Sequence, residues 1–322
     1  MANTELRQAI NNITLVGEVK EQKLKLNTNK EGSYINGSLV INTGEFSEIE
    51  VKVFVGEKNK KGTVKKAFET LQKFINEDLL TLASCKNDED RESVAKVKVQ
   101  GQKEFTPHFK EDIFKSKDGD EVKTKTTIDL GFGNVTLDSS LKKEDYKATF
   151  DVEMIVTSVK EEIKQGESTG RAIINGWTPV YGGKVIPMEV IAGIILDDEG
   201  EDFDFGEDIL AQVEEGMTIN VWGDINYKTI VTKTTKGGGL GKAKVEEHKE
   251  YINELIMVGA DIQEDETKEF DMELIKQAKI ERDVEIENKK NEEGSSDTKK
   301  SKGMSKSAGT TGEKVKRERP KF

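Results

Sequence analysis

Apolar and polar residues alternate with a period of two through much of residues 13–262, the spacing that puts successive side chains on opposite faces of a β-strand. Residues 13–26 alternate imperfectly and predict one long, bent strand with a bulge at Gly17. In residues 34–42, Ile35, Gly37, Leu39 and Ile41 share one face, while Tyr34, Asn36, Ser38 and Val40 share the other. Ile49, Val51, Val53 and Val55 then alternate with Glu50, Lys52 and Phe54 as a third strand. Between Gly62 and Asn76 the period lengthens, and Val64, Phe68, Leu71 and Ile75 predict a helix. A fourth strand follows over 95–102, with Val97 and Val99 inward and Gly101 at a bend. Beyond it, Lys117-Asp118-Gly119-Asp120 is a turn signal between two lysine-bearing arms.

The same order of elements then returns. Ile35-Asn36-Gly37 recurs as Ile174-Asn175-Gly176, and Val99-Gln100-Gly101 as Val221-Trp222-Gly223. The offset of roughly 120–140 residues is too long for a solenoid and implies tandem domains. In the second unit, 150–163 predicts a first strand, and 171–181 and 184–194 a hairpin across Gly182-Gly183. Ile209, Leu210 and Val213 mark a short helix closed by Gly216. Residues 218–227 and 250–260 supply the last two strands. Three strands, a helix and two strands joined by a long hairpin is the order of an OB-fold. The expected fold is therefore mainly β, with two tandem OB-fold barrels, each with one helix, over 1–138 and 148–262. A charged helix at 268–290, either a lid on the second barrel or a partner surface, and a disordered basic tail at 291–322 complete it.

Charge and composition narrow the picture. Of the 322 residues, 34% are hydrophobic and 35% charged, so part of the chain lies outside a packed core. A net charge of −12 argues against a general polyanion binder. The charge is uneven, however, because residues 289–322 hold eleven Lys and Arg against five Asp and Glu. Cys85 is the single cysteine, which suits a reducing cytoplasm, and the N-terminal sequence has no apolar core of signal-peptide length. No run approaches a membrane span, so the expected location is cytoplasmic, inside a bacterial host if the chain is phage-encoded.

Residues 209–225, a helix, then Glu-Gly, then alternating apolar residues around Trp222-Gly223, resemble the late part of single-stranded DNA-binding proteins. The bacteriophage replication versions with tandem OB-folds are the relatives this resemblance implies, over residues 10–262. It implies single-stranded DNA as ligand, a role in replication or recombination, no enzymatic activity and no cofactor. Bacterial members of that family end in an acidic tail with a terminal Phe that recruits replication or recombination proteins. This chain ends Arg317-Glu318-Arg319-Pro320-Lys321-Phe322, keeping the Phe and inverting the charge.

Sequence-tolerant binding of a single strand needs flat rings for bases and cations for the backbone. Trp177 and Trp222 both fall at outward positions of their strands, an unusual place for so large an apolar group. Tyr34, Lys52 and Phe54 occupy outward positions in the first unit, as do Arg171, Tyr181 and Lys184 around the second hairpin. The first long loop interleaves Phe105, Phe109 and Phe114 with Lys110, Lys115, Lys117, Lys123 and Lys125. The second carries Lys228, Lys233, Lys236, Lys242 and Lys244 around Gly237-Gly238-Gly239. Such arms clamp a strand; the plainer reading is that their lysines only solubilise a sheet edge, and that a Trp plugs a barrel end or packs under the helix or tail.

Other chemistry is excluded. GGGLGKA at 237–243 departs from a phosphate loop in its glycine spacing and in Ala243. With His108, His248 and Cys85 alone, no zinc site or histidine relay can be built, so no catalytic or metal-binding residue is assigned. The acidic run 197–208 lacks calcium-loop spacing and reads as a solvated loop or an internal competitor for the groove. Two further readings fit the same fold: a phage structural or assembly protein using OB domains for protein contacts, and an RNA-binding OB protein.

Overall fold

A computed structural model describes residues 5–30, 32–101, 107–116, 121–196, 200–236 and 244–291, with the side chains of 233–236, 244–246 and 249 excepted. Strand β1 (Asn11–Gln22) leads to the edge strand β2 (Lys25–Asn29) and to the hairpin of β3 (Gly32–Gly44) and β4 (Ser47–Gly56). Helix α1 (Lys66–Ile75) buries Ala67, Phe68, Leu71 and Phe74, one stripe of a 3.6-residue period. A short helix α2 (Asp88–Glu92), capped by the Asn87 side chain, precedes β5 (Lys96–Gln100). Strands β6 (His108–Lys115), β7 (Val122–Asp129) and β8 (Asn134–Leu137) end the first unit. β1 pairs with β3 and β5, β3 with β4, β7 runs parallel to β4, and β8 returns to β5. The barrel closes in OB order, with β7 and β8 sharing the fifth-strand position.

The second unit repeats the scheme. It comprises β9 (Lys147–Lys164), β10 (Glu167–Val180), β11 (Lys184–Ala192), a small ribbon of β12 (Ile194–Leu196) and β13 (Asp202–Asp204), α3 (Phe205–Gln212), and the long strands β14 (Thr218–Lys236) and β15 (Lys244–Ile262). β9 pairs with β10 and β14, and the parallel contact Ile191↔Ile256 between β11 and β15 closes the barrel. The inward sets expected from the alternation, such as Ala172 and Ile174 or Ile219, Val221 and Ile225, are buried. A final helix α4 (Met272–Asn291) follows the second barrel.

Several local expectations are corrected. Residues 13–26 run as β1 and β2 with a break at Lys23 and Leu24, but both pair with β3 in one register, Gln22↔Leu39 and Lys25↔Asn36. The Lys23 N–H donates to the Ser38 carbonyl between them, so the expected long strand is interrupted without being redirected. The register shift of β1 lies between Val19 and Glu21. Gly17 serves another purpose, since a Cβ there would sit 2.0 Å from the Asn42 carbonyl oxygen. Val64 is outside the helix, in a bridge to Lys58, and the first barrel carries two helices rather than one.

The two barrels share a ladder that the alternation does not announce. β1 and β9, the equivalent first strands, pair antiparallel from Asn11↔Val152 to Val16↔Lys147. Both barrels thereby join one 13-stranded sheet and one apolar cluster, with Ile13 and Leu15 in the same core as Phe150 and Val152. At this seam the two equivalent first strands run in opposite directions. The connecting segment is itself tied down, because Lys96 Nζ donates to the Leu141 carbonyl at 2.7 Å and Leu141 is buried.

Candidate nucleic-acid interface

On the outer face of the first barrel, β3 and β4 present an aromatic pair. The Tyr34 and Phe54 rings lie 5.2 Å apart at 38°, and Phe54 is 64% exposed. Alternation along the strands causes this exposure, for Ile35, Val53 and Val55 between them are buried. One step along β4, Lys52 pairs with Asp112 of β6. Its amine is held below the usual lysine range, chiefly by burial, with Lys110 and Lys125 adding repulsion against the opposing pull of Glu50 and Asp129. Three lysines from β4, β6 and β7 thus converge on one face. Lys110 is paired with Asp129 at 3.3 Å and Lys123 with Glu121 at 3.2 Å, whereas Lys125 has no ion pair among the described residues.

This face runs into a cleft of about 690 Å³ between the barrels. Glu48, Glu50, Lys52 and Lys125 line it from the first barrel, and Asn175, Glu189, Lys228 and Tyr251 from the second. Most of its carboxylates are engaged. Glu48 pairs with Lys20, Glu50 accepts the Ser38 hydroxyl at 2.7 Å, and Glu254 pairs with Arg171 at 3.0 Å. Lys228 carries no ion pair among the described residues, so Lys125 and Lys228 keep their charge available to a ligand. Tyr251, 65% exposed, lies on the same face of β15 as buried Leu255 and Met257. The sequence reasoning missed Tyr251 and Asn253; the available signal was the inward set of β15 continuing past the end of the barrel.

The other expected site residues divide sharply. Phe109 is fully buried, packed 6.5 Å from Phe150, and its backbone exchanges two hydrogen bonds of 2.9 Å with the Asn11 side chain. Its placement on a binding arm is therefore corrected: it faces inward opposite Ile128 and belongs to the core. Phe114 is exposed on β6, the strand that also carries Lys115, and Tyr181 is 84% exposed at the β10–β11 turn. Arg171 is held by Glu162 and Glu254, and Lys184 by Glu285 of α4 at 2.7 Å. Trp222 lies over Gly259 of β15, where an added Cβ would come 2.4 Å from the ring. Trp177 is covered by α4, with Lys279 and Arg282 at 5.5 and 5.4 Å from its ring centroid. Phe105, Lys117 and Lys242, the side chains of Lys233, Lys236 and Lys244, and the segment 292–322 lie outside the described residues.

Among the described residues, no group of His, Cys, Asp and Glu could hold a metal ion, and no helix is long and apolar enough to cross a membrane. The molecule is a tandem OB-fold protein with an aromatic and lysine-bearing face opening into an inter-barrel cleft. The chain belongs to the YorF family, whose model matches residues 9–292. No curated protein matches the sequence. Among solved structures, a deletion mutant of the single-stranded DNA binding protein from Thermus aquaticus is similar, with TM-score 0.43 and 8% identity over 80% of this chain and 97% of that one.

Proposed function

We propose that the protein is a non-enzymatic, sequence-tolerant binder of single-stranded DNA, acting where replication or recombination exposes a strand. The observation that carries this reading is the contact of half-buried Tyr34 with exposed Phe54 beside Lys52, Lys110 and Lys125 on the face of the second and third barrel strands. Rings offer stacking surfaces to any base, and the lysines track the backbone. The strand continues into the cleft, where Tyr251, Lys125 and Lys228 repeat the same pairing of ring and cation. Residues 292–322, with their excess of Lys and Arg, add phosphate contacts or recruit a replication protein.

Anisotropy titration of labelled oligo-dT, oligo-U and duplex DNA at two salt concentrations tests this. Tight binding of oligo-dT, weakened by salt, with much weaker binding of the duplex is the expected result. Equal affinity for duplex and single strand, or no binding, discards the reading; preference for oligo-U reassigns the ligand to RNA.

A further inference from the structure

Helix α4 covers, on the second barrel, the face that the first barrel leaves open. Trp177 stands on β10 opposite Pro187 of β11, and Lys279 and Arg282 of α4 sit over its ring. Arg282 is at the same time anchored on the other barrel: Nε and Nη2 donate to the Glu111 carboxylate of β6 at 2.6 and 2.5 Å. Lys289 Nζ donates to the Ile113 carbonyl at 2.7 Å, and Glu285 takes up Lys184. The helix therefore runs from the face of one barrel to the long arm of the other.

Its two halves are held differently. The start is fixed by apolar contact, with Phe270, Ile275 and Ala278 buried against Ala9, Ile155 and Val185. Beyond Ala278 the described ties are ion pairs, hydrogen bonds and the cations on Trp177, while Ile280 and Val284 are exposed. No residue of the second half is among the buried core residues, so lifting it would uncover none of them. What it places on the indole, a guanidinium and an ammonium beside Lys184, occupies the positions a stacked base and its phosphates would take.

We propose that Trp177, Lys184 and Arg282 form a second single-strand contact that the latter half of α4 keeps closed, and that a strand arriving from the first barrel opens it by drawing Arg282 away from Glu111. This rests on the reading of the first barrel as a single-strand binder. The bound strand exchanges one set of partners for another: Arg282 leaves a carboxylate for a phosphate, and a base replaces the cations on Trp177.

The test uses the full chain with Glu111→Gln, which removes the charge holding Arg282, and with Glu285→Gln, which releases exposed Lys184 with little risk to folding. Affinity is measured for a short oligo-dT that fits one barrel and for one long enough to span both. Glu111→Gln should bind the long oligo several-fold more tightly and the short one unchanged, Glu285→Gln should follow in the same direction, and adding Trp177→Ala should abolish the gain. Hydrogen exchange of amides 279–291 should quicken when the long oligo binds the unsubstituted chain. If that chain binds oligo-dT but neither variant tightens, or those amides become more protected, the closed contact is overturned and the first-barrel reading stands. If no form binds oligo-dT, both fall.

Discussion

Gly37 on β3 and Gly176 on β10 occupy the same place in the two barrels, each pressed against the first strand or its end with no room for a side chain. A Cβ on Gly37 would lie 2.1 Å from the Lys23 carbonyl oxygen, and one on Gly176 would lie 2.4 Å from that of Ile155. Both obstacles are backbone, which cannot shift without breaking the ladder. Gly176→Ala should therefore cost about 1–3 kcal/mol, the usual penalty for overpacking. Gly37 also has φ +133°, so Gly37→Ala adds strain of about 1–3 kcal/mol. Urea unfolding should show a lowered midpoint for both and a lower one for Gly37→Ala. A Gly176→Ala protein as stable as the parent would mean that the strand crossing is loose.

The aromatic pair of the first barrel separates binding from stability. Phe54 is largely exposed, so Phe54→Ala should change folding stability by about 0.5 kcal/mol or less. If a base stacks on it, the same change should weaken oligo-dT binding by about 1–3 kcal/mol. Tyr34→Ala should weaken binding alike, and the double variant should lose less than the sum, because the two rings are in contact. Unchanged oligo affinity in both single variants would move the binding face elsewhere.

Much of this fold was legible because a strand with one buried face must alternate, and the inward sets of β3, β4, β10 and β14 follow directly. The pairing of β1 with β9 was not. Their edges meet only after each barrel has closed, and no residue spacing encodes that meeting. Phe109 misled because an aromatic residue among lysines fits either an exposed arm or a buried anchor; Ile128, its partner across the ladder, was the clue to burial. Trp177 is outward on its strand, and a helix lying over it is one of the readings the sequence offers, but the pattern does not show which face that helix covers. α4 is polar almost all round and buries only Ile275 and Ala278, so its apolar stripe is too thin to show where it docks.

Lys125 and Lys228 should govern the salt dependence of binding. Neither has an ion pair among the described residues, and both line the cleft. A lysine that meets a phosphate contributes about 0.7 to the slope of log affinity against log salt on a single strand. Lys125→Ala and Lys228→Ala should each flatten that slope by about this amount. Lys123→Ala should change it less, since Lys123 is already paired with Glu121. Identical slopes for all three variants would show that the cleft carries no phosphate.

The segment between the barrels should loosen at both extremes of pH, through different groups. At its start, the Lys98 amine, 2.8 Å away, and then the Ser140 hydroxyl and N–H hold the Asp138 carboxyl down from 3.8 to about 2. At its end, burial and then the Glu18 carboxylate push the Tyr146 phenol up from 10.0 to about 12. A depressed carboxyl contributes stability that is fully present above its ordinary value of 3.8 and is lost as pH falls toward 2. A raised phenol favours the folded state while it is neutral, so its contribution is present below 10.0 and is lost as pH climbs toward 12. Asp138→Asn should therefore flatten the acid limb of a stability profile measured by urea unfolding and leave the alkaline limb alone. Tyr146→Phe should do the reverse, because phenylalanine fills the same half-buried site with nothing to ionise. Since this segment leads directly into β9, the strand that joins the barrels, hydrogen exchange in β9 should quicken at whichever limb the remaining group controls. An acid limb equally steep with and without Asp138 would show that the Lys98 contact does not secure the segment.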